Sequence, residues 1–575
     1  RRLADTDGVP HLVMEGPREF FTAAEADLVD PPVWVGELYL ELHRGTYTSQ
    51  AATKRGNRRA EFALRDLELW TSLAPSSSPA PDELDGLWKL LLLHQFHDII
   101  PGSGIHWVYE DTARDHAHII DTANDLVDDA LAAHVTAIDT TSAAHPVVLF
   151  NSLSHPRRTV IALEAAADVV AVIGPDGESR AVQRTADGQL LCAVTVPPCG
   201  YQVIDLLPGS PSAPVPGPGP VSTGTRFLEN EHLRVELDDD GLLSSIEDKD
   251  NHRQVLAPGT RGNRFQLHPD YPNFYDAWDI DRFALDRVDD LDEAESIETV
   301  ESGPVRAGIR IVRRFGSSML TQVVSLEAGS RLIDFTTEVE WHETNRLLKV
   351  AFPVDVHSRR ATYEIQYGHV ERPTHANTSW DVARFEVCAH KWADLSEPGY
   401  GVALLNDCKY GHDIAGNVIR LSLLRAPTWP DPEADRGHHV FRYQLLPHAG
   451  DLRSAGVIDA GYDLNVPVRA VATDAHTGSL PGAASLLSVD APNVVIEVVK
   501  RSDDGAGDLV LRLYEAWGRR GDVVIRAPWD LDGASVTDML ERRERDVATD
   551  GARLTLALTP FEIATVKLVR AGPGA

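Results

Sequence analysis

At Pro146 the chain changes period. Before it, apolar residues recur at helical spacing; after it, short β-branched runs separated by turn residues continue to the end. A chain with such a break must build separate layers for its helices and its strands. On the helical side, Phe62, Ala63, Leu67, Trp70 and Leu73 mark one helix over Arg58 to Leu73. The breaker APSSSPAP follows, and Asp82, a good N-cap type, opens a second helix that runs to Ile99. A third, from Ile105 to Ile138, sets Val108, Ile119, Ile120, Ala123, Val127, Leu131 and Val135 on one face and acidic residues on the other. Together they predict a three-helix bundle over 53–142.

On the strand side, VVLFNSL, RTVIAL, DVVAVIG, LLCAVTV and YQVIDLL predict a small β-domain over 143–207. PGSPSAPVPGPGP, residues 208–220, is a Pro/Gly linker. Long antiparallel strands then predict a large two-sheet sandwich over 221–452, and a last β-sandwich occupies 453–575. At the other end, residues 1–52 offer one short helix at Pro17 to Ala26 and the apolar run Pro32 to Leu42, read as a buried strand. This is the end of an α/β unit too small to bury its own faces. The expectation is poor packing up to about residue 50, with an exposed apolar face around Val33 to Leu42.

Composition narrows the partners. With 54 Lys and Arg against 87 Asp and Glu, the net charge of −33 repels nucleic acid and anionic lipid. No run approaches the ~18 apolar residues of a membrane span, so neither nucleic acid nor membrane is an expected partner. The four cysteines, Cys192, Cys199, Cys388 and Cys408, have no CxxC spacing, which disfavours a disulfide scaffold and a thiolate zinc site and fits a reducing, cytoplasmic setting. The chain opens at Arg1 without Met or a signal-peptide core, read as the loss of a true beginning. Homo-oligomer formation is left open.

The stretch LLLLHQFHDIIPGS, Leu90 to Ser103, puts His97 beside Asp98 at the end of an apolar helix stopped by Pro101-Gly102. A histidine can ligate zinc, and a neighbouring carboxylate can orient it or accept hydrogen bonds from sugar hydroxyls. On residue types alone such a pair is more often structural. Glu37 to Gln50, ELYLELHRGTYTSQ, gathers Glu37, Glu41, His43, Arg44 and Tyr47 in the mixture that lines carbohydrate clefts, or that makes an ordinary salt-bridged loop. Three more polar-aromatic clusters lie between strands: Pro269 to Asp281, Gln366 to Trp380 and Arg425 to His439. The His438-His439 pair has no zinc-site spacing, and there is no HExxH, GxSxG, Walker loop or helix-opening GxGxxG.

GELYLELHRGTYTSQAATKRGNRRAEFALRDLELW, LLLHQFHDIIPGSGIHWVYEDT and LLRAPTWPDPEADRGHHVFRYQLLPHAG resemble the α-mannosidases of glycoside hydrolase family 38. The resemblance implies an α/β catalytic barrel, then a three-helix bundle, then β-sandwiches. The chain is thus expected to be a multidomain α+β protein: a remnant of an α/β barrel, the bundle, and mostly antiparallel β-sandwich domains. It also implies a zinc-dependent retaining enzyme acting on terminal α-mannosides, with a mannose-containing oligosaccharide as partner. Of the family's zinc ligands only the histidine of its HD motif is matched, at His97, with Asp98 contacting sugar hydroxyls. Glu41, His43, Arg44 and Tyr47 are expected at the sugar. The His-x-Asp motif, the nucleophile segment and the general acid have no counterpart here, so no catalytic residue is assigned and the zinc site is incomplete. Retaining hydrolysis needs two carboxylates about 5–5.5 Å apart, and this chain alone is therefore expected to be inactive. The rival readings are a non-catalytic carbohydrate-binding or scaffolding protein, which explains the missing carboxylates, and a mutarotase-like epimerase, which leaves the HQFHD turn without a role.

Overall fold

A computed structural model describes residues 4–74, 83–209, 219 and 221–571. Asp82, with its expected cap, and most of the 208–220 linker lie outside the described residues. Tertiary contacts divide the chain into Arg1–Leu40 and Glu41–Ala575.

The first unit holds one helix, α1 (Pro17–Asp27), which buries none of its residues. The strand expected from Pro32 to Leu42 does not form. A strand needs a neighbour for its ladder groups, and the described residues of this unit contain no other strand. Instead Trp34 donates its indole N–H to Glu37 O at 3.1 Å, and Val33, Val35 and Leu38 stand 85%, 89% and 83% exposed. The expected loose packing stops earlier than residue 50, however: Arg44, Thr46, Thr48, Ser49 and Gln50 are buried, within the second unit.

That unit begins with three mutually packed helices, α2 (Ala51–Ser72), α3 (Glu83–His94) and α4 (His106–Ala137). Leu64, Leu67 and Trp70 of α2, Leu91 of α3, and Ile119, Ala123, Val127 and Leu131 of α4 are fully buried between them. The Trp70 ring stands edge-on to His134 and Phe150, at 5.5 and 5.2 Å. Helix α2 starts seven residues before Arg58 because its first two turns bury polar side chains, Thr53, Lys54, Asn57 and Arg58, which apolar periodicity cannot register.

Beyond α4 the chain is almost wholly antiparallel sheet. Pro146–Asn151 pairs with Gly200–Pro208 on one side and with Arg469–Ala472 on the other, while Ala483–Ser485 adds to Gly200–Pro208. The small β-region is thus completed by strands that the sequence assigned to the last sandwich. In the large region a nine-stranded sheet faces a six-stranded one. Phe335 and Tyr443 of the former stack at 4.9 Å and meet Phe352 of the latter at 5.7 and 6.3 Å. Asn263, Gln322 and Tyr443 satisfy one another's polar groups inside this core. The last sandwich buries Leu511, Leu513, Ile525, Leu556 and Val566 in one cluster with the helices, and Arg65 of α2 donates to Glu497 O at 2.9 Å.

Trp70 is the largest group joining the helices to the first strand of the small β-region. Trp70→Ala is expected to cost about 3–5 kcal/mol, transfer and cavity terms together, measured by urea unfolding.

Candidate active-site face

The first residues of α2 carry the geometry. Gln50 sits in the left-handed region, φ 60°, and makes no side-chain cap. The amides of Gln50 and Ala51 donate instead to the Asp435 carboxylate, at 2.7 and 2.6 Å. This caps a buried helix N-terminus and places negative charge where the helix dipole favours it. Burial pushes the Asp435 carboxyl up to about 6, against the pull of the two amides, Lys409 and Lys54. Four residues earlier in the chain, Asp431 accepts from Gln50 Nε2 at 2.8 Å and meets His106 Nδ1 at 3.2 Å. One loop, 431–435, therefore holds the starts of both α2 and α4.

The preceding residues are clamped from another side. Gly45 and Thr46 donate their amides to Trp278 O at 2.8 and 3.3 Å, and Ser49 Oγ donates to Ala277 O at 2.9 Å. Arg425, fully buried with Asp270 at 2.7 Å, donates to Ser49 Oγ, Ala277 O, Asp276 O and Asp279 O at 2.6–3.0 Å. A Cβ on Gly45 would overlap the Arg425 guanidinium, so no side chain is tolerated there.

The third component is the turn after α3. Helix α3 ends at His94, not Ile99, and residues 95–101 continue as successive turns and a bend. Gln95 Nε2 donates to Asn57 and Glu61 of α2 at 3.0 and 2.7 Å. Lys54 Nζ joins Ser49 O to Ile100 O at 2.5 and 2.9 Å. Gly102, φ +85°, lies so close to Ser49 O that a Cβ would overlap it. Gly104 donates its amide to Tyr109 Oη at 2.6 Å.

With its inner side so fixed, the turn presents its outer side to solvent. The side chains of His97 and Asp98 are 76% and 62% exposed, with Nε2 and Oδ2 3.5 Å apart, and the Phe96 ring lies 4.1 Å from the imidazole. An exposed pair of this kind adds little stability, and both groups face solvent. Exposed aromatic rings belong to the same clamping segments. Trp429 stands over Trp278 at 5.4 Å, and Asp276 holds the Thr428 and Trp429 amides at 2.5 and 3.1 Å. Phe274 and Tyr275 are 78% and 58% exposed. Exposed aromatics beside a few convergent polar groups can cover the faces of a sugar or a partner surface.

The other expected site residues separate. Arg44 is buried, pairs with Asp279 at 3.2 Å, donates to Ala383 O and lies 4.5 Å over the Phe385 ring. Its guanidinium is committed to the scaffold because a buried cation must be paired. Glu41 is exposed, while His43 and Tyr47 are half-buried. His438 pairs with Glu340 at 2.7 Å whereas His439 turns inward to Asp435 O at 2.6 Å, so they share no ligand. Among the described residues no three His, Cys, Asp or Glu are grouped to hold a metal ion. Sequence reasoning missed Lys54, Asp270 and Asp435 as individuals; the available signal was a helix start with no local cap.

Three family models match the chain: the alpha mannosidase middle domain over 41–133, the glycosyl hydrolases family 38 C-terminal domain over 228–433, and the family 38 C-terminal beta sandwich domain over 493–566. The chain belongs to glycoside hydrolase family 38. Among the curated relatives, Alpha-mannosidase 2C1 of Homo sapiens is 40% identical, across 100% of this chain and 54% of its own length. Alpha-mannosidase G of Dictyostelium discoideum is 33% identical, across 99% of the chain and 56% of its own length. The chain thus spans about half the length of these curated relatives. A crystal structure of an alpha-mannosidase from Enterococcus faecalis V583 shares the fold, with a TM-score of 0.82, 19% identity, and coverage of 97% of this chain and 72% of that one.

Burial lowers the Lys54 amine from 10.5 to about 7. The folded protein therefore binds fewer protons than the unfolded chain between these values, and Lys54 favours folding increasingly as pH rises through that window. Melting temperatures of the wild type and Lys54→Met, compared from pH 7 to 10, should shift relative to each other in favour of the wild type as pH rises. A constant difference would contradict this burial.

Proposed function

We propose that the chain supplies one wall of the active centre of a zinc-dependent, retaining α-mannosidase that hydrolyses terminal α-mannosides, with the nucleophile and acid/base carried outside this sequence. The observation that supports this reading is the His97–Asp98 pair: two exposed polar groups on a turn whose inner side is fully tied down. The exposed pair itself adds little stability, whereas the firmly fixed backbone beneath it pre-organises a ligand site. The relatives matched over the whole chain are named as α-mannosidases.

In this reading His97 offers one ring nitrogen to zinc and Asp98 accepts hydrogen bonds from sugar hydroxyls. Glu41, His43 and Tyr47 line the sugar side, and Arg44 positions the loop that carries them. The donor set of this chain does not fit zinc by itself: one exposed imidazole with no second and third ligand among the described residues cannot retain the ion. Zinc therefore belongs to a site shared with the rest of the protein, and a mannose-containing oligosaccharide is the partner. In this reading residues 1–52 are the end of the α/β barrel. The four free cysteines suit a cytoplasmic setting.

The test is turnover of an aryl α-mannoside by the full-length protein, with zinc content measured in parallel. His97→Ala should lower both metal retention and kcat/KM, the latter by at least about 100-fold. Asp98→Asn should retain zinc and lose kcat/KM. Full activity in His97→Ala would falsify the assignment.

A further inference from the structure

A cleft of ≈640 Å³ opens between the strand Arg157–Leu163 and the nine-stranded sheet, where Ser318–Glu327, Ile333–Trp341 and Gly437–Ala449 lie side by side. Asp463, Leu464, Pro467, Val468 and Ala470 also line it. This volume is that of a small-molecule site, about 300–1,000 Å³, and none of its lining residues belongs to the His97 face.

Its charges fall into pairs. Arg306 is held by Glu301 at 2.6 Å, Arg157 by Asp463 at 3.3 Å, and Arg442 by Asp334. Asp334 also accepts from Gln444 Nε2 at 2.8 Å and Thr336 Oγ1 at 3.1 Å. What remains is one cation and one carboxyl: Arg158, laid against Gly329, and Glu327. Neither has an ion pair or side-chain hydrogen bond among the described residues, and both line the cleft. Burial and the nearby Asp334 push the Glu327 carboxyl up to about 7, so near neutral pH it serves as donor as well as acceptor. Three of the four arginines are neutralised by carboxylates and the fourth, Arg158, is exposed to solvent, so the cleft presents little uncompensated buried charge to a charged ligand. Between the polar groups Val160, Leu332 and Val468 give an aliphatic surface, suited to the C–H face of a sugar ring.

We propose that this cleft is a second saccharide site, taking a neutral mono- or disaccharide unit through Glu327 and Arg158. It does not rest on the mannosidase reading, whose failure would appear in the activity assay and leave the cleft untouched. The experiment is a calorimetric titration of the full-length protein with mannobiose, maltose and cellobiose, in the His97→Ala background so that the first site is silenced. At least one sugar should bind. Glu327→Gln, close to isosteric, should weaken it at least tenfold, and Ala162→Trp, on an exposed position of the cleft wall, should abolish it with the melting temperature retained. No binding by any of the three sugars, or unchanged binding in both cleft variants, overturns the proposal, as does inorganic phosphate binding in their place.

Discussion

A helix that starts inside a protein must have its first amides satisfied, and the start of α2 has no neighbour in sequence able to do so. Gln50 is left-handed and caps nothing; the acceptor is Asp435, nearly four hundred residues away. Hydrogen bonds to a charged acceptor contribute about 1.5–3 kcal/mol each, and an orphaned buried amide costs as much. This long-range cap fixes where α2 begins and which way its first turns face. Lys54, Asn57 and Glu61 then lie under the turn after α3, and that turn can expose His97 and Asp98 only because they hold it.

Charge is managed in the same way throughout this region. Arg425 and Asp270 are fully buried, and the guanidinium spends its remaining donors on four oxygens of two separate segments. Buried ion pairs are poor sources of net stability, but removing one partner is costly, so they act as register pins. Arg44 with Asp279 pins the loop on its other side. His97 and Asp98, by contrast, are exposed on the outer side of the turn, which separates them from buried scaffold residues of identical type.

That distinction explains what could be read from the sequence. Apolar periodicity reported α4 well, because its buried stripe of Ile119, Ala123, Val127 and Leu131 is purely hydrophobic. It failed at the start of α2, where the buried face is Lys54, Asn57 and Arg58, and at Pro32 to Leu42, an apolar run in which no strand forms. The strands 469–472 and 483–485 were assigned to the wrong layer because pairing partners more than 250 residues apart leave no local mark. The polar clusters around His97, Gln50, Asp276 and Asp435 were all visible as clusters, and they do converge. Which members face out is not visible in the sequence: the burial of Arg44 depends on Asp279, a partner distant in sequence.

The central claim is that the Asp435 cap and the His97 turn form one mechanical unit. Native-state hydrogen exchange on Asp435→Asn tests it directly. The account predicts that protection falls not only at Gln50 and Ala51, which bond to Asp435, but also at Gly102 and Gly104 within the turn. Loss of protection confined to Gln50 and Ala51, with Gly102 and Gly104 exchanging as in the wild type, would contradict it.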